Sequence, residues 1–228
     1  MAATSPTRPT VQSADALSAR GLRSRAKIKA AALTLLNKNG FNSLRVQDVA
    51  KKAGVANGLF YRYFPDLRSL AYELCRELFE QINHDSKAVP LGLHPYDWIY
   101  EVHLIPVRHF SDNPGLLACM FELPGDCAEF GEIWKESAHT WNLQVANFLR
   151  ETRMPAASRD AARKTAFVLG AMTEGIIYQS LIRHTEDLLQ LGRSPEAISE
   201  VIAIMWYRAI FFENPPAAKL RSKSALLK

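Results

Sequence analysis

Cysteine is scarce in this chain, and long apolar runs are missing. Cys75, Cys119 and Cys127 are too few for a disulfide framework, and an odd count fits a reducing compartment, so a cytoplasmic protein is expected. No apolar run reaches the roughly 18 residues a membrane span needs, and MAATSPTRPT lacks the apolar region of a secretory leader. There is no GxSxG, no Walker loop and no glycine-rich dinucleotide fingerprint. A single Glu136-x-x-His139 is too little for a di-iron bundle, which needs two such pairs and further glutamates. Cys119 and Cys127 lack metal-ligand partners at matching spacing, so small core residues are the default, with a redox-sensing thiol as the alternative. No catalytic residue, metal or cofactor is expected. Strand-like alternation and internal repeats are also missing, which leaves an all-α chain.

What is present is unevenly placed. The net charge of +5 hides a split. Up to Leu70, twelve Lys and Arg face only Asp15, Asp48 and Asp66, whereas from Ala71 to Glu213 twenty acids outnumber twelve bases. A basic first third on a mildly acidic body is the footprint of a nucleic-acid module joined to something else. Residues 1–21, rich in Ala, Ser, Thr and Pro, read as a flexible tail, and Arg8, Arg20 and Arg23 in or beside it are either solvated charge or a phosphate-touching arm.

The informative stretch is 45–64, RVQDVAKKAGVANGLFYRYF. Ahead of it, Ile28, Ala31, Ala32, Leu35 and Leu36 follow helical spacing from about Ser24 to Asn39. A second helix spans Val46–Ala53, and Gly54 supplies the positive φ of a tight turn. Asn57 can cap a third helix from Gly58 to Phe64, which buries Leu59 or Phe60 together with Phe64. Pro65 ends it, and Asp66 caps a long fourth helix to about Ile82. Two short helices around a glycine turn, the second carrying amide, aromatic and basic side chains, make a helix-turn-helix suited to a DNA major groove.

Residues 23–82 resemble the DNA-binding domain of TetR-family transcriptional regulators. The resemblance is carried by a first helix ending in NGF and by VQDVAKKAGVANGLFYRYFPD at the family's spacing. It implies that the third helix lies in the major groove, with Asn57, Gly58 and Tyr61 at base edges and Gln47 as a further candidate. Arg45, Arg62 and Tyr63 would then hold phosphates. The family's usual lysine after Pro-Asp is Leu67 here, with Arg68 as its substitute. The domains expected are a tail at 1–21, a DNA-binding domain at 22–82, a helical ligand-binding and dimerisation domain at 83–213, and a basic tail at 214–228.

Beyond residue 83 the punctuation gives helices from Pro95 to about Ser111 (kinked at Pro106), Asn113–Leu123, Asp126 to about Arg150, Ser158–His184 and Ser194–Glu213. The last two show broad apolar faces, and the resemblance implies a four-helix homodimer interface. Phe167, Gly170, Ile177 and Leu181 would supply one helix of it, and Val201, Ile202, Met205 and Ala209 the other. The aromatic middle helices suit an apolar ligand cavity, for which Trp98, His103, Phe121, Trp134, Trp141, Glu174 and Tyr178 are the candidates. Glu174 stands out as an isolated carboxylate in an apolar run. The resulting expectation is a dimeric repressor of a palindromic double-stranded operator, released when a small apolar or aromatic effector displaces the fourth helix. The alternatives are a DNA-binding protein whose body recruits a protein partner, and a helical enzyme.

Overall fold

The computed structural model describes residues 18–123, 128–152, 159–190 and 192–221. Arg8, Asp15, Asp126, Cys127 and Ser158, which figure in the sequence analysis, lie outside the described residues. The described regular structure is helical throughout: α1 Ala19–Asn39, α2 Val46–Ala53, α3 Asn57–Tyr63, α4 Leu67–Ser86, α5 Pro95–Asp112, α6 Pro114–Glu122, α7 Ala128–Thr152, α8 Arg159–Leu181, α9 Glu186–Leu189 and α10 Pro195–Phe211, followed by a 3-10 turn at Ala217–Lys219. Among the described residues, no helix is long and apolar enough to cross a membrane. The chain divides into two compact units, with the boundary between Arg76 and Glu77, inside α4.

In the first unit α1 begins earlier than its apolar period suggests. Ser18, not Ser24, is the cap, its hydroxyl accepting from the Gly21 amide, so Arg20 and Arg23 stand on a helix and not in a tail. The helix buries Ile28, Ala31, Ala32 and Leu36 and stops at Gly40, whose φ of 71° only glycine adopts readily. α2 buries Val49, Ala50 and Ala53, and Gly54 turns the chain at φ 66°. α3 starts at Asn57 itself, behind Ala56, with no side-chain cap. The α4 start is capped as expected, Asp66 Oδ1 accepting from the Ser69 amide at 2.7 Å. Arg25 and Lys29 on α1 both bind Glu73 on α4, and Arg25 also lies over the Phe64 ring. Burial pushes the Glu73 carboxyl up, but hydrogen bonds from the two cations outweigh this and hold it below its ordinary value.

In the second unit α5 packs along α10, and α7 along α8. α5 runs on through Pro106, which cannot donate to the Val102 carbonyl. Trp206 on α10 donates to Thr173 Oγ1 on α8 at 2.8 Å, tying those helices across a buried polar contact. The residues after α10 are held, too. Lys219 and Arg221 pair with Asp97, Arg221 also reaches Glu101 and covers the Tyr100 ring, and its amide donates to the buried Glu200. The basic C-terminal segment is thus partly a strap over α5, its charge matched by α5 acids.

Candidate functional site

The reading candidates divide along the two faces of α3. Phe60 and Tyr63, three apart, point inward, and Phe60 meets Phe64 with ring centroids 5.8 Å apart. Asn57, Gly58, Tyr61 and Arg62 are on the outer side and exposed. Tyr61 is 41% exposed although its ring stands edge-on to Phe60, so the small core leaves much of it outside. Tyr63 is 4% exposed and packs the core, because its position repeats that of Phe60 on the inner face, while part of it also lines the groove beside α3. Gly58 has an ordinary φ, and a Cβ there would meet nothing, so the fold itself does not require glycine at this point.

Gln47 and Arg45 are exposed on and before α2. Arg45 Nη1 donates to the Asn42 and Leu44 carbonyls, both at 2.9 Å, so part of its guanidinium braces the loop entering α2. Leu67 is half-buried and Arg68 exposed, which leaves Arg68 as the cation at the start of α4. Beside α3 the structure adds a polar groove that the sequence reading only half found. Arg20, Arg23 and Lys27 of α1, the turn at Gly54–Ala56, and Arg62 line it. The signal available was the helical spacing of Arg20, Arg23 and Lys27, hidden by starting the first helix at Ser24.

The second unit holds a cavity of about 640 Å³, partly open to solvent, walled by α4, α5, α6, α7 and α8 and built entirely from residues of that unit. His103, Phe121, Trp134, Trp141 and Glu174 line it, as the sequence suggests. Two candidates do not. Trp98 is stacked on Phe148, centroids 3.9 Å apart, in the packing of α5 against α7. Tyr178 stands behind Phe121 at 4.9 Å, buttressing the wall. Phe79, Ile82 and Asn83 of α4, together with Asn142, are lining residues that sequence reasoning missed. Their period marks only burial, and nothing local says whether a buried face meets a neighbour or a void.

His103 is fully enclosed. Its Nδ1 bonds the Ile99 carbonyl at 2.6 Å, and burial pushes its pKa down to about 4, with that bond opposing. The imidazole is therefore neutral near pH 7. Cys119 is equally closed off: burial lifts its thiol to about 12, which removes the thiolate a redox sensor needs. No group of three or more His, Cys, Asp or Glu side chains is placed to hold a metal among the described residues.

The interface candidates separate as well. Phe167, Gly170 and Ile177 line the cavity, and Val201 and Ile202 are buried. Ile177, Val201 and Ile202 are buried in the chain's own interior, where α7 packs on α8 and α5 on α10, whereas Phe167 and Gly170 are half-buried. Leu181 and Met205 are half-buried and Ala209 is exposed. Gly170 owes its smallness to Asn142: a Cβ there would stand 2.2 Å from the Asn142 amide oxygen. The outward side of α8 carries Val168, 70% exposed, with Gly175, while Phe212 at the end of α10 is 90% exposed with a φ of 58°.

Comparison with known proteins agrees with this architecture. Residues 28–74 match the family described as "Bacterial regulatory proteins, tetR family". The chain is 25% identical over 194 residues to the HTH-type transcriptional regulator EthR of Mycolicibacterium smegmatis, covering 83% of this chain and 87% of that protein. It is 36% identical over 117 residues to the HTH-type transcriptional repressor KstR of Rhodococcus jostii, covering 49% and 54%. Among solved structures, a transcriptional regulator from Rhodococcus sp. RHA1 superposes with a TM-score of 0.66 at 17% identity, covering 83% of this chain and 97% of that one. A helix-turn-helix with an outward amide, tyrosine and arginine, matched by the family over residues 28–74, leads to one assignment: the chain carries a TetR-family DNA-binding domain and is similar over most of its length to a transcriptional regulator.

Proposed function

We propose that this regulator is a homodimeric repressor of a palindromic operator, released when a small, largely apolar or aromatic ligand enters the cavity. The observation that carries this reading is the double membership of α4. Its early residues Leu70 and Ala71 are buried and its Glu73 is tied to α1, while its later residues Phe79, Ile82 and Asn83 form cavity wall. A ligand that binds one position of this helix more tightly than another shifts the population of that position, and only such a difference can alter operator affinity.

On DNA, Asn57 and Tyr61 address base edges, Gly58 admits close approach, and Gln47 reaches from α2. Arg45, Arg62 and Arg68 address phosphates, joined by Arg20, Arg23 and Lys27 from the groove beside α3. Two copies pair through the outward side of α8 and the end of α10, with Val168, Gly175, Met205, Ala209 and Phe212 in the contact. A Cβ on Gly175 would meet open space within the chain, which suits the approach of a second one. Twofold pairing sets the two α3 helices for adjacent major grooves.

The test is fluorescence anisotropy with duplexes from the region flanking the protein's own gene. Asn57→Ala is expected to lower discrimination between operator and random DNA by about 1–3 kcal/mol. Arg62→Ala is expected to weaken both alike and reduce the salt slope by about one. Equal losses on both duplexes for Asn57→Ala would remove its base-reading role. Sedimentation of a Val168→Glu, Ala209→Glu variant checks the pairing: a dimer that persists places the interface elsewhere.

A further inference from the structure

The cavity has an asymmetric set of polar groups. Three of its lining residues carry a buried polar atom with no partner: His103 Nε2, Asn142 Oδ1 and Trp134 Nε1. His103 and Asn142 are 1% and 6% exposed, so neither side chain has ready access to bulk water. The Ile99 carbonyl fixes the His103 tautomer. Nδ1 must carry the proton to donate to it, which leaves Nε2 a bare acceptor. The wall therefore holds two unused acceptors and one unused donor, and a buried polar atom left unpaired costs about 1–3 kcal/mol.

The space for Asn142 is built. Gly170 lacks the Cβ that would collide with its amide oxygen, so α8 gives up helix propensity to let this polar group sit in the wall. Charge is distributed to match. Lys135 is the cavity's only Lys or Arg among the described residues, and its ammonium is paired with Glu132 at 2.7 Å and 71% exposed. Glu174 contributes a carboxylate to the same wall. An anionic ligand would meet that carboxylate and two acceptors without a buried cation to offset its desolvation. The remaining wall, with Phe79, Phe110, Phe121, Trp134 and Trp141, offers aromatic faces.

We infer that the cavity selects an uncharged, mainly apolar or aromatic molecule whose polar end carries a hydrogen-bond donor, a phenol or alcohol and not a carboxylate. The donor binds His103 Nε2 or Asn142 Oδ1, and a small turn of either side chain as the ligand enters bares the acceptor. This rests on the reading of the cavity as the effector site and adds the ligand's chemical class.

Isothermal titration of the full chain at pH 7.5 with four probes sharing one apolar tail tests it: 4-hexylphenol, 4-hexylanisole, 4-hexylbenzoate and 4-hexylbenzylamine. The phenol is expected to bind at least tenfold more tightly than the anisole, which has the same ring and no donor. The benzoate is expected to bind more weakly than either. Asn142→Leu and His103→Phe should each shrink the phenol-to-anisole ratio, and a retained anisole affinity shows that the variant cavity is folded. Tightest binding of the benzoate or the benzylamine, or equal binding of phenol and anisole, overturns the inference while leaving the cavity an effector site. Failure of all four to bind overturns the effector reading together with it.

Discussion

The two units place their functional side chains in opposite ways. In the first, the core is minimal, and the groups proposed to meet DNA are what the core leaves out: Asn57, Gly58, Tyr61 and Arg62 lie outside while Phe60 and Tyr63 close the inside. In the second, the groups proposed to bind ligand are themselves in the interior, and His103, Asn142 and Trp134 hold polar atoms that packing leaves unpaired. A reading surface can thus be changed one residue at a time with little effect on folding. A binding cavity cannot, because each of its residues also supports a neighbour.

The sharpest way to break this contrast is to remove the pivot of the smaller core. Phe60 is wholly buried and contacts both Tyr61 and Phe64. Phe60→Ala is expected to cost about 3–5 kcal/mol, enough to unfold a unit of this size. Operator binding should vanish, while 4-hexylphenol binding by the second unit persists in calorimetry. Loss of both together would show that the units do not fold independently.

Next in size is the pH dependence carried by His103. Its folded pKa of about 4 lies below the ordinary 6.5, so the unfolded chain takes up the proton first. Between those values the unfolded state binds more protons, and stability falls as pH falls through that window and is complete above it. The expected loss is on the order of 3 kcal/mol by pH 4. Urea titrations at pH 7 and pH 4.5, with His103→Phe as the reference, measure it. An equal fall in that variant would assign the effect to other groups.

These examples also explain what could be read before the fold was known. The helix-turn-helix was legible because its determinants are local: the Gly54 turn, the Pro65-Asp66 stop and the spacing of outward and inward residues all fall within one short stretch. The aromatic cavity was legible in kind, and His103, Trp134 and Glu174 were identified. Trp98 was not separable from them, because an apolar period reports burial and not whether the buried face meets Phe148 or a void. Val201 and Ile202, read as interface residues, are buried within the chain for the same reason: α10 packs against α5, which lies about a hundred residues earlier in the chain. Gly170 was read only as an interface candidate, because its partner Asn142 could be found only in three dimensions.

Gly170 gives the third and smaller test. In Gly170→Ala the new methyl group must drive the Asn142 amide aside, at an expected cost of about 1–3 kcal/mol. Affinity for 4-hexylphenol should fall, whereas ligand-free operator affinity should stay within twofold by anisotropy. A change in operator affinity with the cavity empty would mean that the α7–α8 packing already biases the DNA-binding state.

The smallest effects come from two glycines four residues apart, and they should differ in sign. Gly54 has φ 66° in the turn, so Gly54→Ala forces a left-handed conformation on an L-residue and should destabilise by about 1–2 kcal/mol. Gly58 is helical with open space where a Cβ would lie, so Gly58→Ala should stabilise by a few tenths up to about 1 kcal/mol. Stability alone therefore gives no reason for glycine at 58. The reason must be a partner that approaches the bare backbone, and operator affinity should drop several-fold in Gly58→Ala even as the melting temperature rises. In Gly54→Ala, stability and affinity should fall together. If Gly58→Ala raises stability and leaves operator affinity intact, close backbone approach at the start of α3 is wrong, and the reading task rests on Asn57 and Tyr61.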